Sequence, residues 1–222
     1  MSTVRGSVRV VISDFGGVLT NPLMDSFIEY QKSTGIPIEV LGEAMAAIME
    51  RDGEHPLFEL EKGILSEADF TKVMQDELDA RLEHDVEFHR FGEMYFEHLH
   101  PNRPFLDFLF EYKSDGGRLA LLTNNVKEWE PRWRAMLPID ELFETVVDSG
   151  FEGTRKPERR IYEITLERIR GLDGLADIEP RECVLVDDIE HNCEAAREFG
   201  FEAVRFIETD QAIAETRGLL RP

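Results

Sequence analysis

Short runs of apolar and β-branched residues recur along the chain and are separated by segments with helical spacing. The first run covers residues 8–13, and the later ones cover residues 118–123, 145–147, 182–187 and 202–206. Runs of this length are typical of buried parallel strands. Helical patterns lie between the later runs, over residues 105–113, 159–170 and 191–199. This alternation predicts an α/β fold, a Rossmann-like parallel sheet flanked by helices.

The pattern changes between residues 22 and 100, where we find no convincing strand. Apolar residues recur there every three or four positions, and Ser66, followed by Asp69 three residues later, resembles a helix capping box. We therefore predict an inserted all-helical cap over residues 22–100. The core domain would then consist of residues 1–21 and 101–222. Such a cap would lie over the carboxyl edge of the sheet, where open α/β sheets bind their ligands.

Composition excludes several classes of partner. With 42% hydrophobic residues the chain can bury a sizeable core, and 46 acidic against 25 basic residues give a formal charge of −21. Such a surface repels nucleic acids and anionic membranes, so we expect neither as a partner. An anionic substrate would need a metal ion, a lysine or helix N-termini near it. A homodimer is compatible with these features.

The two cysteines favour a reduced compartment. Cys183 and Cys193 are too few for a disulfide framework or a closed structural zinc site. Cys183 lies in an apolar run, where a small buried thiol is expected. The first residues lack the apolar stretch of a signal peptide, and no run is long enough to span a membrane. The expected location is the cytoplasm.

Polar residues at the ends of predicted strands supply the candidate chemistry. Asp14 follows the first strand, Thr123 ends the second, and Asp187 and Asp188 end the fourth, while Lys156 precedes a predicted helix. Each alone has an ordinary explanation as a turn or capping residue. Their joint order and their placement at strand ends favour a phosphoryl-transfer site.

The residue types suit that chemistry. A carboxylate at Asp14 can attack phosphorus and form an aspartyl-phosphate. The Gly16 carbonyl, Asp187 and Asp188 offer the oxygen ligands that Mg²⁺ prefers. Thr123 and the backbone N–H groups after it can hold phosphate oxygens, and Lys156 can neutralise their charge.

At these segments the chain resembles the haloacid dehalogenase-like (HAD) hydrolase superfamily. The segments 14–18 and 186–192 resemble a branch that includes sugar-phosphate phosphatases and the N-terminal phosphatase domains of epoxide hydrolases, and residues 58–66 are typical of the helical cap of that branch. The resemblance implies a Mg²⁺-dependent phosphatase for small phosphorylated metabolites, with sugar phosphates among the expected substrates.

Site roles follow from the resemblance, residue by residue. Asp14 would be the nucleophile and a metal ligand, assisted in catalysis by Thr123 and Lys156. Asn192 would support the metal site from the next helical turn. The remaining expected ligands fall into two sets: Gly16, Asp187 and Asp188 for the metal, and Thr123, Asn124, Lys156 and Gly17 for phosphate.

One position departs from the family pattern. Most phosphatases of this family carry a second aspartate, a general acid–base, two residues after the nucleophile, and this chain has Gly16 there. Loss of a positioned acid–base costs about 10²–10⁴-fold in rate. Three explanations are open: a substrate with a good leaving group such as an anomeric sugar phosphate or an acyl phosphate, a substitute from the cap, or low activity. The candidate substitutes are His55, Glu59 and Glu61, for which a solvated loop is the simpler interpretation.

Two rival functions remain. A haloacid dehalogenase would use Asp14 on carbon without a metal, but the acidic pair favours phosphate chemistry. A catalytically silent HAD-fold binding protein would explain Gly16 but not the four intact polar segments. Transfer to a sugar, as in a phosphomutase, fits less well because it needs a strong acid–base. For Trp129 and Trp133, packing is favoured over a place beside the pocket.

Overall fold

The computed structural model describes residues 8–82, 86–88 and 91–220. Its described strands form one parallel sheet in the order β3-β2-β1-β4-β5. The strands are β1 Val10–Ser13, β2 Arg118–Thr123, β3 Thr145–Asp148, β4 Cys183–Asp187 and β5 Glu202–Arg205. Helices flank the sheet, so the predicted α/β class is confirmed. All five predicted strands are present, with ends within two residues of the prediction.

Twelve α-helices are present in the described part of the chain. Their bounds are α1 Leu23–Thr34, α2 Ile38–Asp52, α3 Pro56–Glu61, α4 Glu67–Asp79, α5 Phe91–Glu97, α6 Arg103–Ser114, α7 Glu130–Met136, α8 Ile139–Leu142, α9 Ser149–Glu152, α10 Arg159–Arg170, α11 Glu190–Phe199 and α12 Thr209–Leu220. Short 3-10 helices cover Lys127–Trp129 and Pro180–Glu182. Among the described helices none is long and apolar enough to cross a membrane.

The register of the central strand places the polar strand ends side by side. Ser13 of β1 lies opposite Leu121 of β2 and Val186 of β4. Asp14, one residue further on, is therefore level with the ends of both neighbouring strands. All residues of β1 and β4 are buried, as expected for strands covered on both faces. The sheet thus brings the predicted polar segments to one edge.

The segment between β1 and α6 is helical where the structure describes it, with helices α1–α5. Ser66 caps α4 as predicted, since its Oγ accepts the Asp69 N–H at 3.1 Å. Aromatic rings fill the space between these helices, with Tyr30, Phe70 and Phe88 fully or almost fully buried. The helical insertion is therefore present, while the division of the chain into two domains stays a prediction.

Several contacts join the inserted helices to the sheet side of the molecule. The Trp129 indole Nε1–H donates to the Glu67 carboxylate at 2.7 Å. The Ser149 hydroxyl donates to the Glu61 backbone carbonyl at 2.5 Å. The Arg155 Nε lies 2.6 Å from the Glu61 carboxylate. These contacts fix α3 and α4 over the carboxyl edge of the sheet.

The last helix, α12, was not predicted from the sequence. It packs beside β4, β5 and α6, and its buried positions are small or polar, at Ala212 and Thr216. The weak apolar pattern explains why periodicity did not reveal it. The two cysteines are buried free thiols, as expected.

Candidate active site

The carboxylate of Asp14 is held rigidly at the end of the central strand. Its backbone N–H continues the sheet by donating to the Val186 carbonyl at 2.9 Å. Its Oδ1 accepts the Phe15 N–H at 2.7 Å and lies 2.9 Å from Lys156 Nζ. The residue is only 7% exposed, yet it lines a cavity. Asp14 is therefore a positioned carboxylate with access to a small ligand.

Lys156 is completely buried and uses all three of its ammonium donors. Nζ donates to Asp187 Oδ2 at 2.6 Å and to the Leu122 carbonyl at 3.0 Å, in addition to the contact with Asp14. Burial lowers the pKa of Lys156, but Asp14 and Asp187 together raise it above its ordinary value. The lysine is a fixed positive charge between two carboxylates.

The carboxylates of Asp187 and Asp188 differ in burial and in their contacts. The Asp187 carboxylate is fully buried, and its Oδ1 accepts the Ile189 N–H at 2.9 Å and the Asn192 amide at 3.0 Å. Asp188 is half-buried and lines the cavity. Asn192 thus reaches the cluster through Asp187, in agreement with its predicted supporting position.

Asp14, Asp187 and Asp188 form a cluster whose chemistry suits a hard divalent cation. One carboxylate oxygen from each lies within 4.8 Å of the other two. Three carboxylates and the Lys156 ammonium leave two negative charges unbalanced in a buried place, and oxygen ligands are those Mg²⁺ prefers. The donor set therefore fits the ion.

The pKa values of the cluster reflect this unbalanced charge. Burial raises the pKa of Asp14 well above its ordinary value; Lys156 opposes that shift, and the two other aspartates add to it. Burial and the neighbouring Asp187 raise the pKa of Asp188 to about 6. The three groups are ionised together only when more positive charge is present.

The predicted phosphate ligands lie near the cluster but differ in their bonding. Thr123 is buried at the cavity wall, and Gly16 also lines the cavity. The Asn124 side chain is bonded to the backbone of Lys156, at 2.9 Å to its carbonyl and 2.8 Å to its N–H. The Gly17 N–H donates to the Thr20 hydroxyl at 3.2 Å. These groups of Asn124 and Gly17 are thus engaged within the protein, and phosphate binding by the two residues stays a prediction.

The cavity has an aromatic wall that sequence reasoning did not find. Phe27, Phe91, Tyr95 and Trp129 line it together with Asp14 and Arg155. Burial raises the pKa of Tyr95, and the Asp14, Glu61 and Asp188 carboxylates raise it further, so its hydroxyl stays protonated. Only the position of Trp129 after the second motif hinted at this wall. Its ring both packs and borders the cavity, so our preference for packing alone was incomplete.

The other residues singled out in the sequence lie in different surroundings. Trp133 is fully buried against Phe15, with ring centroids 5.5 Å apart, so packing is its role. His55 stacks on Phe58 at 4.3 Å, and Glu59 pairs with Lys62 at 2.6 Å. Of the three candidate acid–base residues, Glu61 alone lines this cavity among the residues that the structure describes. Burial raises the pKa of Glu61, although Arg155 opposes that shift.

Comparison with known proteins agrees with this arrangement. The family model described as haloacid dehalogenase-like hydrolase matches residues 8–200, which include every residue of the site. The chain belongs to this hydrolase family. The predicted resemblance to the HAD-like hydrolases is thereby confirmed.

Curated relatives of this HAD-like hydrolase include phosphatases. Glyceraldehyde 3-phosphate phosphatase of Pyrococcus furiosus is 30% identical over 101 residues, which cover 44% of this chain and 38% of that protein. Bifunctional epoxide hydrolase 2 of Mus musculus is 23% identical over 221 residues, covering 94% of this chain and 38% of that protein. Acyl-CoA dehydrogenase family member 10 of the same species is 29% identical over 111 residues, covering 50% and 10%. The alignments thus span well under half of each relative.

Solved structures share the fold of the HAD-like hydrolase. A HAD family enzyme from Bacteroides thetaiotaomicron has a TM-score of 0.67 and 22% identity, covering 90% of this chain and 94% of its own. The same enzyme in complex with magnesium and inorganic phosphate has a TM-score of 0.64 and 21% identity, covering 89% and 93%. The L-2-haloacid dehalogenase from Xanthobacter autotrophicus has a TM-score of 0.58 and 17% identity, covering 89% and 77%.

Proposed function

We propose that this HAD-like hydrolase is a Mg²⁺-dependent phosphatase that hydrolyses small phosphate monoesters through an aspartyl-phosphate on Asp14. The observation that carries the proposal is the contact of one buried ammonium, Lys156 Nζ, with Asp14 at 2.9 Å and with Asp187 at 2.6 Å. This contact orients the nucleophile at the cavity wall and favours its ionised form, while burial of Asp14 opposes ionisation until further positive charge is bound. A dehalogenase that acts on carbon needs no metal, and so it does not need Asp187 and Asp188 beside Asp14 and Lys156.

The residues that would hold the metal are Asp14, Asp188 and the Gly16 carbonyl, with Asp187 beside them. Asp187 contributes mainly through Lys156 and Asn192, because both of its oxygens already accept hydrogen bonds. When bound, Mg²⁺ balances the carboxylate charges and lets a phosphate dianion approach.

The chain's own residues then account for the two chemical steps. Asp14 attacks phosphorus, the bond to the leaving oxygen breaks, and water later releases inorganic phosphate from the aspartyl-phosphate. Thr123 and Lys156 stabilise the charge on the phosphoryl oxygens. Gly16 supplies no proton to the leaving oxygen. The reaction therefore favours esters whose oxygen leaves without a positioned acid.

Residues 22–100 complete the proposal as a cap domain over the core. Their helices carry Phe27, Phe91 and Tyr95 of the aromatic wall and thus enclose the organic part of the substrate. Enclosure excludes water from the site, which strengthens every electrostatic contact inside it.

A screen of small phosphate monoesters with and without Mg²⁺ tests the proposal. We expect phosphate release that EDTA abolishes and that Asp14→Asn lowers by at least about 10³-fold. Asp177→Asn is the matched control, because this aspartate is 87% exposed and does not line the cavity. Equal release by wild type and Asp14→Asn contradicts the proposal, and metal-independent release of halide from 2-haloacids favours the dehalogenase instead.

A further inference from the structure

The wall formed by Phe27, Phe91, Tyr95 and Trp129 is mostly apolar ring surface, to which the Tyr95 hydroxyl adds a hydrogen-bonding group. Tyr95 stacks on Trp129, with centroids 5.2 Å apart and planes at 26°. Phe91 adjoins the same indole at 5.9 Å. The only polar atom of the indole, Nε1, is turned to Glu67 at 2.7 Å. The indole therefore contributes only apolar surface to the cavity.

The position of the indole is fixed by a glycine on the inserted helices. A Cβ at Gly92 would lie 2.6 Å from Trp129 Nε1 and 2.4 Å from the Glu67 carboxylate. A side chain there would displace the indole or break its hydrogen bond. Trp129 is also 95% buried, with a relative exposure of 5%. The ring is a rigid part of the wall.

Several polar side chains of the cavity are already bonded to other protein groups. The Asn124 amide is bonded to the Lys156 backbone, and the Asn192 amide to Asp187. Glu61 is paired with Arg155 at 2.6 Å. A sugar has several hydroxyl groups, and each one buried here without a partner would oppose binding. The cavity lining therefore favours an organic group with few hydrogen-bonding atoms.

The cavity is small, with a volume of about 130 Å³. An apolar protein cavity of about 150 Å³ takes up a single benzene molecule. The same cavity must also receive the phosphate, because Asp14, Thr123 and Lys156 line it. The organic group inside it is therefore no larger than about one ring.

The absence of an acid at Gly16 leads independently to the same class of ester. An alkyl ester must expel an oxygen about as basic as hydroxide, whose conjugate acid has a pKa of about 15.7. A phenol has a pKa of about 10, so a phenolate is more than about 10⁵-fold less basic than an alkoxide of this kind. It can therefore leave without a positioned proton donor. The apolar cavity requires an organic group that binds as a ring, and Gly16 requires a good leaving group. Aryl phosphates meet both requirements.

We infer that the substrate is the phosphate monoester of a phenol, whose ring lies against Trp129 and Tyr95 while its phosphate meets Asp14. The inference rests on the proposed function and adds its substrate class. Asp14 Oδ bonds to phosphorus as the P–O(aryl) bond breaks, and the electron pair leaves with the phenolate, which takes a proton from water. Water then attacks phosphorus, freeing Asp14 and inorganic phosphate.

Steady-state kinetics on four phosphate esters and one acyl phosphate tests this inference. The set is phenyl phosphate, benzyl phosphate, acetyl phosphate, glucose 1-phosphate and glucose 6-phosphate, each with Mg²⁺. We expect kcat for phenyl phosphate to exceed that for benzyl phosphate by about 10²-fold or more, because only the leaving group differs. We expect its KM to lie about 10-fold below that of acetyl phosphate, which lacks the ring.

Two variants test the ring wall. Trp129→Leu should raise KM for phenyl phosphate about 10-fold more than KM for acetyl phosphate. If that variant does not fold, Phe27→Leu serves the same purpose, since Phe27 is only half-buried and lines the same cavity. Equal changes of KM for the two substrates in the folded variants overturn the role of the wall.

The outcomes separate this inference from the proposed function. A kcat/KM for either glucose phosphate equal to or above that for phenyl phosphate overturns the aromatic substrate class and leaves the phosphatase standing. Failure of every ester to release phosphate faster than with Asp14→Asn overturns both. Preference for phenyl phosphate in kcat and KM supports both.

Discussion

The side chain of Asn124 binds both backbone polar groups of Lys156. Its amide donates to the Lys156 carbonyl at 2.9 Å, and its oxygen accepts the Lys156 N–H at 2.8 Å. The end of β2 thereby fixes the loop that carries the buried ammonium. Its predicted contact with phosphate stays a prediction, and the two bonds give Asn124 a second role in positioning Lys156.

Asn124→Ala should therefore act through Lys156. Removing the amide leaves two backbone groups of a buried residue without partners, which costs about 2–4 kcal/mol of unfolding free energy. We expect kcat to fall while the inhibition constant of inorganic phosphate changes less than about 3-fold. Urea unfolding and product inhibition measure the two effects. Asn124→Asp keeps only the acceptor oxygen, so its stability and kcat should lie between those of wild type and Asn124→Ala. A large rise in the inhibition constant of phosphate without lost stability would instead indicate that Asn124 binds phosphate directly.

Gly17→Ala should disturb Asp188 more than it disturbs the fold. Gly17 has φ +72°, and a Cβ there would lie 2.3 Å from Asp188 Oδ2. The matched control is Gly35→Ala, because Gly35 has φ +73° and no atom within 4 Å of the added carbon. Both variants should lose about 1–2 kcal/mol from the left-handed backbone.

Only Gly17→Ala should also weaken Mg²⁺ binding, which isothermal titration calorimetry measures directly. We expect its dissociation constant for Mg²⁺ to rise by at least about 10-fold, in line with the effect of disturbing groups around a metal site. Equal affinities in the two alanine variants would separate Asp188 from the metal site.

Asp148 should make stability depend on pH. It is 4% exposed at the end of β3, and burial raises its pKa from 3.8 to about 6. As pH rises, the unfolded chain loses this proton first, so the folded state is progressively penalised until pH passes about 6. The resulting loss for wild type is about 1.4 kcal/mol between about pH 5 and about pH 7.5.

Asp148→Asn does not titrate, so its stability relative to wild type should increase by that amount over the same interval. Urea unfolding at several pH values measures the difference. Asp177→Asn, an exposed position, should follow wild type at every pH. A constant difference between Asp148→Asn and wild type would show that burial does not perturb this carboxyl.

Features that depend on local pattern could be predicted from the sequence. The strands are nearly continuous apolar runs because both faces of the sheet are covered, and parallel strands bring their polar ends to one edge. Asp14, Thr123, Lys156 and Asp188 could therefore be placed together before any coordinates were known. Helix α12 was missed because it buries residues such as Ala212 and Thr216, which carry little apolar signal.

Features that depend on packing between distant segments could not be predicted. The ring wall requires Tyr95 of the inserted helices to stack on Trp129 of the sheet side, and no periodicity relates these positions. The two hydrogen bonds between the Asn124 side chain and the Lys156 backbone depend on the orientation of one amide group. Our inference about the substrate rests on the first feature, and our account of Lys156 rests on the second. Neither could be predicted without the side-chain arrangement.

The central claim is that Asp14 becomes covalently phosphorylated. Rapid acid quenching of the enzyme during turnover of phenyl phosphate with Mg²⁺, followed by peptide mass spectrometry, tests it most directly. We predict a hydroxylamine-sensitive phosphoryl group on Asp14 that forms within one turnover and is absent in Asp14→Asn. Release of phosphate at the full rate with no phosphorylated enzyme, or with the phosphoryl group on another residue, would contradict the account.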